Sequence, residues 1–238
     1  MDWKRGFFAM LVLCIILGSA CIVLYENNTS LLQRQTSSIT RDSTPRIGIV
    51  VALPSEALPI FAEFSTERQL VAYGFNFSLG QIAGKQIVIV VCGIGEESAS
   101  AAVLAMDVLF DIQWAVNIGT AGAHSPNLEV GDVLVGAHII SAGSRRYSSL
   151  TQWSLLGDGI FFPNGTQERF QYLNSTPSLL ALAAAASRQV TLPPTPSNLT
   201  GNGIAHEPAI LLNATIASSD FWTANSTLIQ QLRLRFDT

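Results

Sequence analysis

Residues 47–52 read Ile47-Gly48-Ile49-Val50-Val51-Ala52, six positions without a polar side chain, between Arg46 and Leu53-Pro54. A run this short and this rich in β-branched residues is a strand. Because polar and apolar positions do not alternate, it is a strand covered on both faces, as in a parallel sheet. Such a strand constrains the rest of the chain, since parallel neighbours need crossovers of a dozen residues or more, usually helical. Pro54 suits the first turn of a helix, and Ser55 to Phe64 can continue it. Two strands are expected across 70–91, with a turn at Gly84-Lys85 and the second strand running from Gln86 to Val91. Gly93-Ile94-Gly95 then leads into a helix from Glu96 to Phe110 with apolar residues at helical spacing. Trp114 to Ile118 reads as a further buried strand ending in Gly119, and Val130 to Ile140 as one more. Residues 141–177 read as polar surface loop, Leu179 to Arg188 as alanine-rich helix and Thr191 to Gly203 as loop. Pro208 to Ala217 reads as strand and Ser226 to Phe236 as helix. This alternation predicts one α/β domain over 45–238.

Ahead of it, Lys4 and Arg5 precede an uncharged run of twenty residues from Gly6 to Tyr25. Twenty helical residues span a bilayer core of about 30 Å, and a basic stretch before an apolar one is also the pattern of a secretory signal. Gly18 and Ala20 offer a cleavage site after Ala20, whereas Cys21-Ile22-Val23-Leu24-Tyr25 prolongs the run. A cleaved signal peptide and a retained signal anchor over 1–25 both stay open. In either case Lys4 and Arg5 put the remainder on the non-cytosolic side. Residues 26–44 are polar and rich in Ser and Thr, and read as a linker. Eight of the eleven asparagines begin an Asn-x-Ser/Thr sequon, far above the chance expectation for this composition. Asn27 and Asn28 lie close to the apolar run. Asn76, Asn164, Asn174, Asn198, Asn213 and Asn225 are the expected surface glycan sites. Together these features indicate the secretory pathway, with the protein secreted, vacuolar or anchored on the lumenal or extracellular side of a membrane. The membrane enters only through the N-terminal segment, if that segment is not cleaved.

Charge excludes one class of partner. Thirteen Lys and Arg against seventeen Asp and Glu leave a net charge of −4, with no cationic surplus to neutralise nucleic-acid phosphates. Cys14 and Cys21 lie in the apolar run, so Cys92 is alone in the body and no disulfide forms there. Flanked by Val91 and Gly93, it reads as a small buried hydrophobe rather than a nucleophile. His124, His138 and His206 lack metal-ligand spacing, so no metal is expected. Gly93-Ile94-Gly95 lacks the third glycine of a dinucleotide fingerprint, and Glu96 and Glu97 would repel a pyrophosphate. No cofactor is expected.

In open α/β sheets ligands sit beyond the carboxyl ends of the strands. Four segments qualify: Leu53 to Glu56, Gly93 to Glu96, Gly119 to Gly122 and Ser218 to Trp222. Glu56 can stabilise a helix N-terminus or do chemistry. Thr120 can cap a turn or offer its hydroxyl to a substrate. Trp222 can belong to a core or stack on a flat ring.

Taken together, Ile47 to Glu56, Cys92-Gly93-Ile94-Gly95, Asn117-Ile118-Gly119-Thr120-Ala121-Gly122 and Val130-Gly131-Asp132-Val133-Leu134-Val135 resemble the purine and uridine nucleoside phosphorylase superfamily. Within it, the methylthioadenosine/S-adenosylhomocysteine nucleosidase branch is the most similar. The export features resemble the plant bark-storage and wound-inducible relatives. The resemblance continues more weakly to Ser218-Ser219-Asp220-Phe221-Trp222. It implies a three-layer fold, a central mixed sheet flanked by helices, and cleavage of the N-glycosidic bond of a purine nucleoside. By this resemblance Glu56 is the catalytic carboxylate that positions or activates water. Ile94 lines the 5′ pocket. Gly119, Thr120, Ala121, Gly122 and Phe221 bind substrate, Thr120 contacting the nucleophile or the ribose, and Trp222 stacks on the purine.

Two departures refine the expectation. Phosphorylases of this family carry a phosphate-binding arginine two residues before the motif glycine, where this chain has Asn117, and no arginine lies within 53–58. A phosphate dianion needs a compensating cation, so hydrolysis is favoured over phosphorolysis. The family also continues past the equivalent of Thr238 with a ribose-binding glutamate and a proton-donating aspartate. The resemblance therefore implies that the C-terminal part of the domain is missing and that this chain alone is inactive. It further implies that the full-length parent is a homo-oligomer. The competing reading is a storage or wound-responsive glycoprotein that keeps the fold without turnover.

Overall fold

The computed structural model describes residues 40–149 and 152–238. The expected signal segment 1–25, Asn27, Asn28 and most of the expected linker lie outside the described residues. Among the described residues no helix is long and apolar enough to cross a membrane. Two compact units divide at Gly119/Thr120.

The first unit is built on strand β1, Asp42–Val51. Its polar beginning falls inside the stretch read as linker, because Asp42, Arg46 and Arg68 tie it down: Asp42 Oδ2 accepts from Arg46 Nη2 at 3.3 Å and from Arg68 Nη2 at 2.9 Å. Helix α1, Pro54–Ala62, follows directly. Three strands then fold back on one another, β2 Ser65–Ala72, β3 Phe75–Ile82 and β4 Lys85–Val91. Sequence reading expected two strands here and a turn at Gly84-Lys85. The loops are instead Tyr73-Gly74 and Ala83-Gly84, with positive φ at all four residues, the backbone a tight two-residue hairpin requires. Helix α2, Glu96–Leu109, crosses over to β5, Phe110–Ile118. The sheet order is β2-β3-β4-β1-β5. β1 runs parallel to β4 and β5, while β2, β3 and β4 are antiparallel, so the sheet is mixed.

The continuous apolar character of β1 is explained by what covers it. Val50 shares one face with Phe77, Leu79, Val88 and Val90, under Ala102, Ala105, Met106 and Leu109 of α2. Ile49 and Val51 share the other face with Ile87 and Ile89, under Ala57 of α1 and Phe64 just beyond it. Helix, sheet and helix form three layers.

In the second unit, β6 (Val133–Ser141) pairs in parallel with β12 (Ile210–Ser218) and antiparallel with β11 (Leu173–Asn174). The expected loop over 141–177 holds short strands. β7 (Arg145–Tyr147) pairs with β8 (Trp153–Leu155), and β9 (Asp158–Phe161) with β10 (Gln167–Phe170). They are three or four residues long and mostly exposed, so no hydrophobic period announces them. Helix α3 spans Pro177–Ser187 and α4 spans Ser226–Phe236. The Asn225 side chain accepts from the Leu228 amide at 3.1 Å and caps α4. Leu232 and Phe236 pack on Ile140, Ala142 and Trp153. Trp153 donates from Nε1 to Gln231 at 2.6 Å, with the Arg235 guanidinium 4.7 Å from its ring centroid. Asp132 joins the turn before β6 to the segment before β12. His206 Nε2 and the Ala209 amide each lie 2.8 Å from its Oδ1, and the Glu129 amide donates to Oδ2 at 2.9 Å.

Candidate active site

At the carboxyl end of β1 the chain turns through Leu53 into α1, which places Glu56 in the first helical turn. The carboxylate folds back on that turn, where Oε2 accepts from the Leu53 amide at 3.0 Å. The helix-stabilising reading of Glu56 is therefore real. It does not exhaust the geometry, because the same carboxylate lies against Gly119 at the end of β5. A Cβ on Gly119 would sit 3.3 Å from Oε1 and 3.4 Å from Oε2. Glycine keeps that approach open. A half-buried carboxylate oriented by a backbone amide, with a glycine facing it at the end of β5, can accept a proton from water or hold a hydroxyl.

Sequence reading named the residues of this corner but not the contacts that build it. The Leu53 amide is a backbone donor at an apolar residue; its signal is the three-residue spacing to Glu56, one half of a capping box. Asn117 donates from Nδ2 to the Val50 carbonyl at 3.3 Å, joining the ends of β5 and β1. Cys92 is half-buried rather than fully inside. Burial pushes its thiol up, its own backbone opposes this, and the Glu56 charge adds to the rise. The side chain is thus a protonated neighbour of the carboxylate. Ile94 occupies the turn between β4 and α2 and is 58% exposed.

The second unit carries the other expected residues. Thr120, Ala121 and Gly122 are exposed in a stretch without regular structure. Phe221 and Trp222 follow β12 and are 64% and 88% exposed. Ser219 organises this segment, its hydroxyl donating to the Phe221 carbonyl at 3.0 Å. The glycan candidates Asn76, Asn164, Asn174, Asn198, Asn213 and Asn225 are all exposed.

The model of the phosphorylase superfamily matches residues 46–209. A protein of Marinomonas sp. described as 5′-methylthioadenosine/S-adenosylhomocysteine nucleosidase is 31% identical over 94 residues, 40% of this chain and 41% of that protein. Its counterpart in Listeria monocytogenes is 33% identical over 89 residues, 37% of this chain and 38% of that protein. The chain thus spans about two fifths of the length of these curated relatives. Among solved structures, native futalosine hydrolase of Helicobacter pylori superposes with a TM-score of 0.62 at 22% identity, over 82% of this chain and 72% of that one. A mutant Helicobacter pylori nucleosidase with 5′-methylthioadenosine in the active site gives 0.59 at 22%, over 81% and 72%. These likenesses establish a shared fold, with a central mixed sheet and few flanking helices.

Proposed function

Because the chain belongs to the phosphorylase superfamily, we propose that, in the full-length parent, Glu56 handles the water in hydrolytic cleavage of the N-glycosidic bond of a purine nucleoside. The observation that carries this reading is the Glu56 carboxylate, oriented by the Leu53 amide and lying against a side-chain-free Gly119. As the C1′–N9 bond loosens, positive charge develops at the anomeric carbon. A carboxylate that aligns water and takes its proton lowers the barrier to attack, and the base departs with the bonding pair. The nucleosidase relatives support a nucleoside substrate. Asn117 supports hydrolysis, since this neutral amide supplies no charge for a phosphate dianion. By the family resemblance, Thr120 is the candidate ribose contact, and Phe221 and Trp222 are the candidate base contacts.

The test is adenine release from 5′-methylthioadenosine with and without inorganic phosphate, on the full-length parent and its Glu56→Gln variant. Release is expected to be phosphate-independent and to fall about 10²–10⁴-fold in the variant. Equal rates would remove Glu56 from the mechanism.

The exposure of all six sequon asparagines beyond residue 45 supports a second reading, an exported glycoprotein that binds nucleoside without turning it over. Expression in a eukaryotic secretory cell and digestion with peptide N-glycosidase should lower the mass by several glycans. Nucleoside binding without adenine release would select this reading.

A further inference from the structure

The structure assigns a second ligand site to the opposite end of the first unit's sheet. There, beside the start of β4 and the middle of β1 and β5, an open cavity of about 290 Å³ is lined by Arg46, Ile47, Lys85, Gln86, Gln113 and Trp114 together with a proline. It lies five residues along β1 from Val51, roughly 16 Å of strand before the turn that presents Glu56. It is distinct from the candidate active site.

Three observations give the site its chemistry. The lining holds two cations and no carboxylate, in a chain whose net charge is −4. Arg46 is 5% exposed, and its charge is only partly answered. Nη1 donates to Gln86 Oε1 at 2.7 Å and Nη2 to Asp42 at 3.3 Å, but Asp42 is shared with Arg68, and Nε has no partner among the described residues. A buried donor left unmatched costs about 1–3 kcal/mol, and an incoming oxyanion adds the negative charge that this cluster lacks. Finally, the ladder between β1 and β5 is irregular here. Arg46 pairs with Ile112 and Ile47 with Trp114, so Gln113 is an extra, bulged residue. Bulges redirect side chains next to sites, and this one sets the Gln113 amide on the cavity wall.

The occupant this wall fits is a small organic anion. One carboxylate or phosphate group faces Arg46, Lys85 and the two amides, and a flat apolar body lies against Ile47 and Trp114. The strong contacts are charge-assisted hydrogen bonds from Lys85 and Gln113 in the field of Arg46.

Calorimetric titration of the full chain with benzoate, phenyl phosphate and inorganic phosphate tests this. Benzoate or phenyl phosphate is expected to bind one to one at millimolar concentrations, and inorganic phosphate more weakly, since it leaves Trp114 untouched. Lys85→Gln should weaken binding about tenfold, the loss of one charged hydrogen bond. Gln113→Glu, which puts a carboxylate into the cavity on an exposed strand, should abolish it, with circular dichroism unchanged. Glu56→Gln should leave it intact, so failure of the proposed nucleosidase chemistry and failure of this site are separable. No binding of either organic anion, equal affinity for inorganic phosphate, or binding insensitive to Lys85→Gln and Gln113→Glu would each overturn the assignment.

Discussion

Gly119 decides how much room the Glu56 carboxylate has. A methyl there would press on both carboxylate oxygens at 3.3–3.4 Å, close enough that one group must give by a few tenths of an ångström. In the full-length parent, if Glu56 acts as proposed, Gly119→Ala is therefore expected to lower kcat/KM for nucleoside cleavage at least about tenfold, because misplacement of that size spoils positioning. The melting temperature should hardly move, since residues 119–122 are exposed. Enzyme kinetics beside a thermal melt separate the two effects. The parts of this corner legible in the sequence are those carried by residue type and motif order: a carboxylate three residues past a strand, and glycine after Ile118. The Leu53 amide that turns Glu56, and the Asn117 bond to the Val50 carbonyl, are contacts between a side chain and a backbone group, and their partners are set by the fold rather than by residue type. Cys92 is half-buried because it stands just past the end of β4, where apolar composition no longer implies full cover.

Among the elements, β2 is held by its neighbour's backbone rather than by its own side chains. Only Ala72 of its eight residues is buried, and a polar edge strand needs no more than a ladder of hydrogen bonds. This is why it is invisible to hydrophobic patterning, while β1 and β4, buried on both faces, are plain in the sequence. The short strands between 145 and 174 escape for the same reason. What β2 does require is close approach. A side chain at Gly80 of β3 would run into the Ser65 carbonyl and the Phe64 ring. Gly80→Ala should destabilise the protein by about 2–3 kcal/mol, the cost of forced overpacking, seen as a lower denaturant midpoint. At the other end of the chain, α4 is fully legible, with Asn225 marking its start. Asn225→Ala should cost about 1 kcal/mol by loss of the cap, and Asn225→Ser or Asn225→Asp should recover most of it in the same denaturant titration.

For the whole molecule, two carboxylates couple stability to acid. Burial pushes Asp42 up, but the Thr44 amide and hydroxyl, the Arg46 charge and Arg68 outweigh it and hold the carboxyl at about 2, against an ordinary 3.8. In the other unit burial raises Asp132, while the Ala209 and Glu129 amides and His206 outweigh it and hold the group below its usual range. A carboxylate lowered in the folded state contributes stability that is fully present above its unfolded value and is lost as pH falls through the folded one. Melting temperature should therefore be flat from pH 7 to about 5 and fall between about pH 4 and 2, with Asp42 accounting for about 1 kcal/mol after solvent screening of its exposed partner Arg68. Asp42→Asn and Asp132→Asn should each flatten that acid limb in melts from pH 7 to 2. The sheet order also has a consequence in time. β2, β3 and β4 are neighbours in the chain and close as hairpins soon after they are made, whereas β1 is translated first and finds its partners in β4 and β5. The stretch from Val51 to Ile118 takes several seconds to synthesise at about 5–20 residues per second. Through that interval one edge of β1 has nothing to pair with, and its apolar row is a natural substrate for a holding chaperone. A strand covered on both faces in the finished protein is thus one that waits in the open while it is being made.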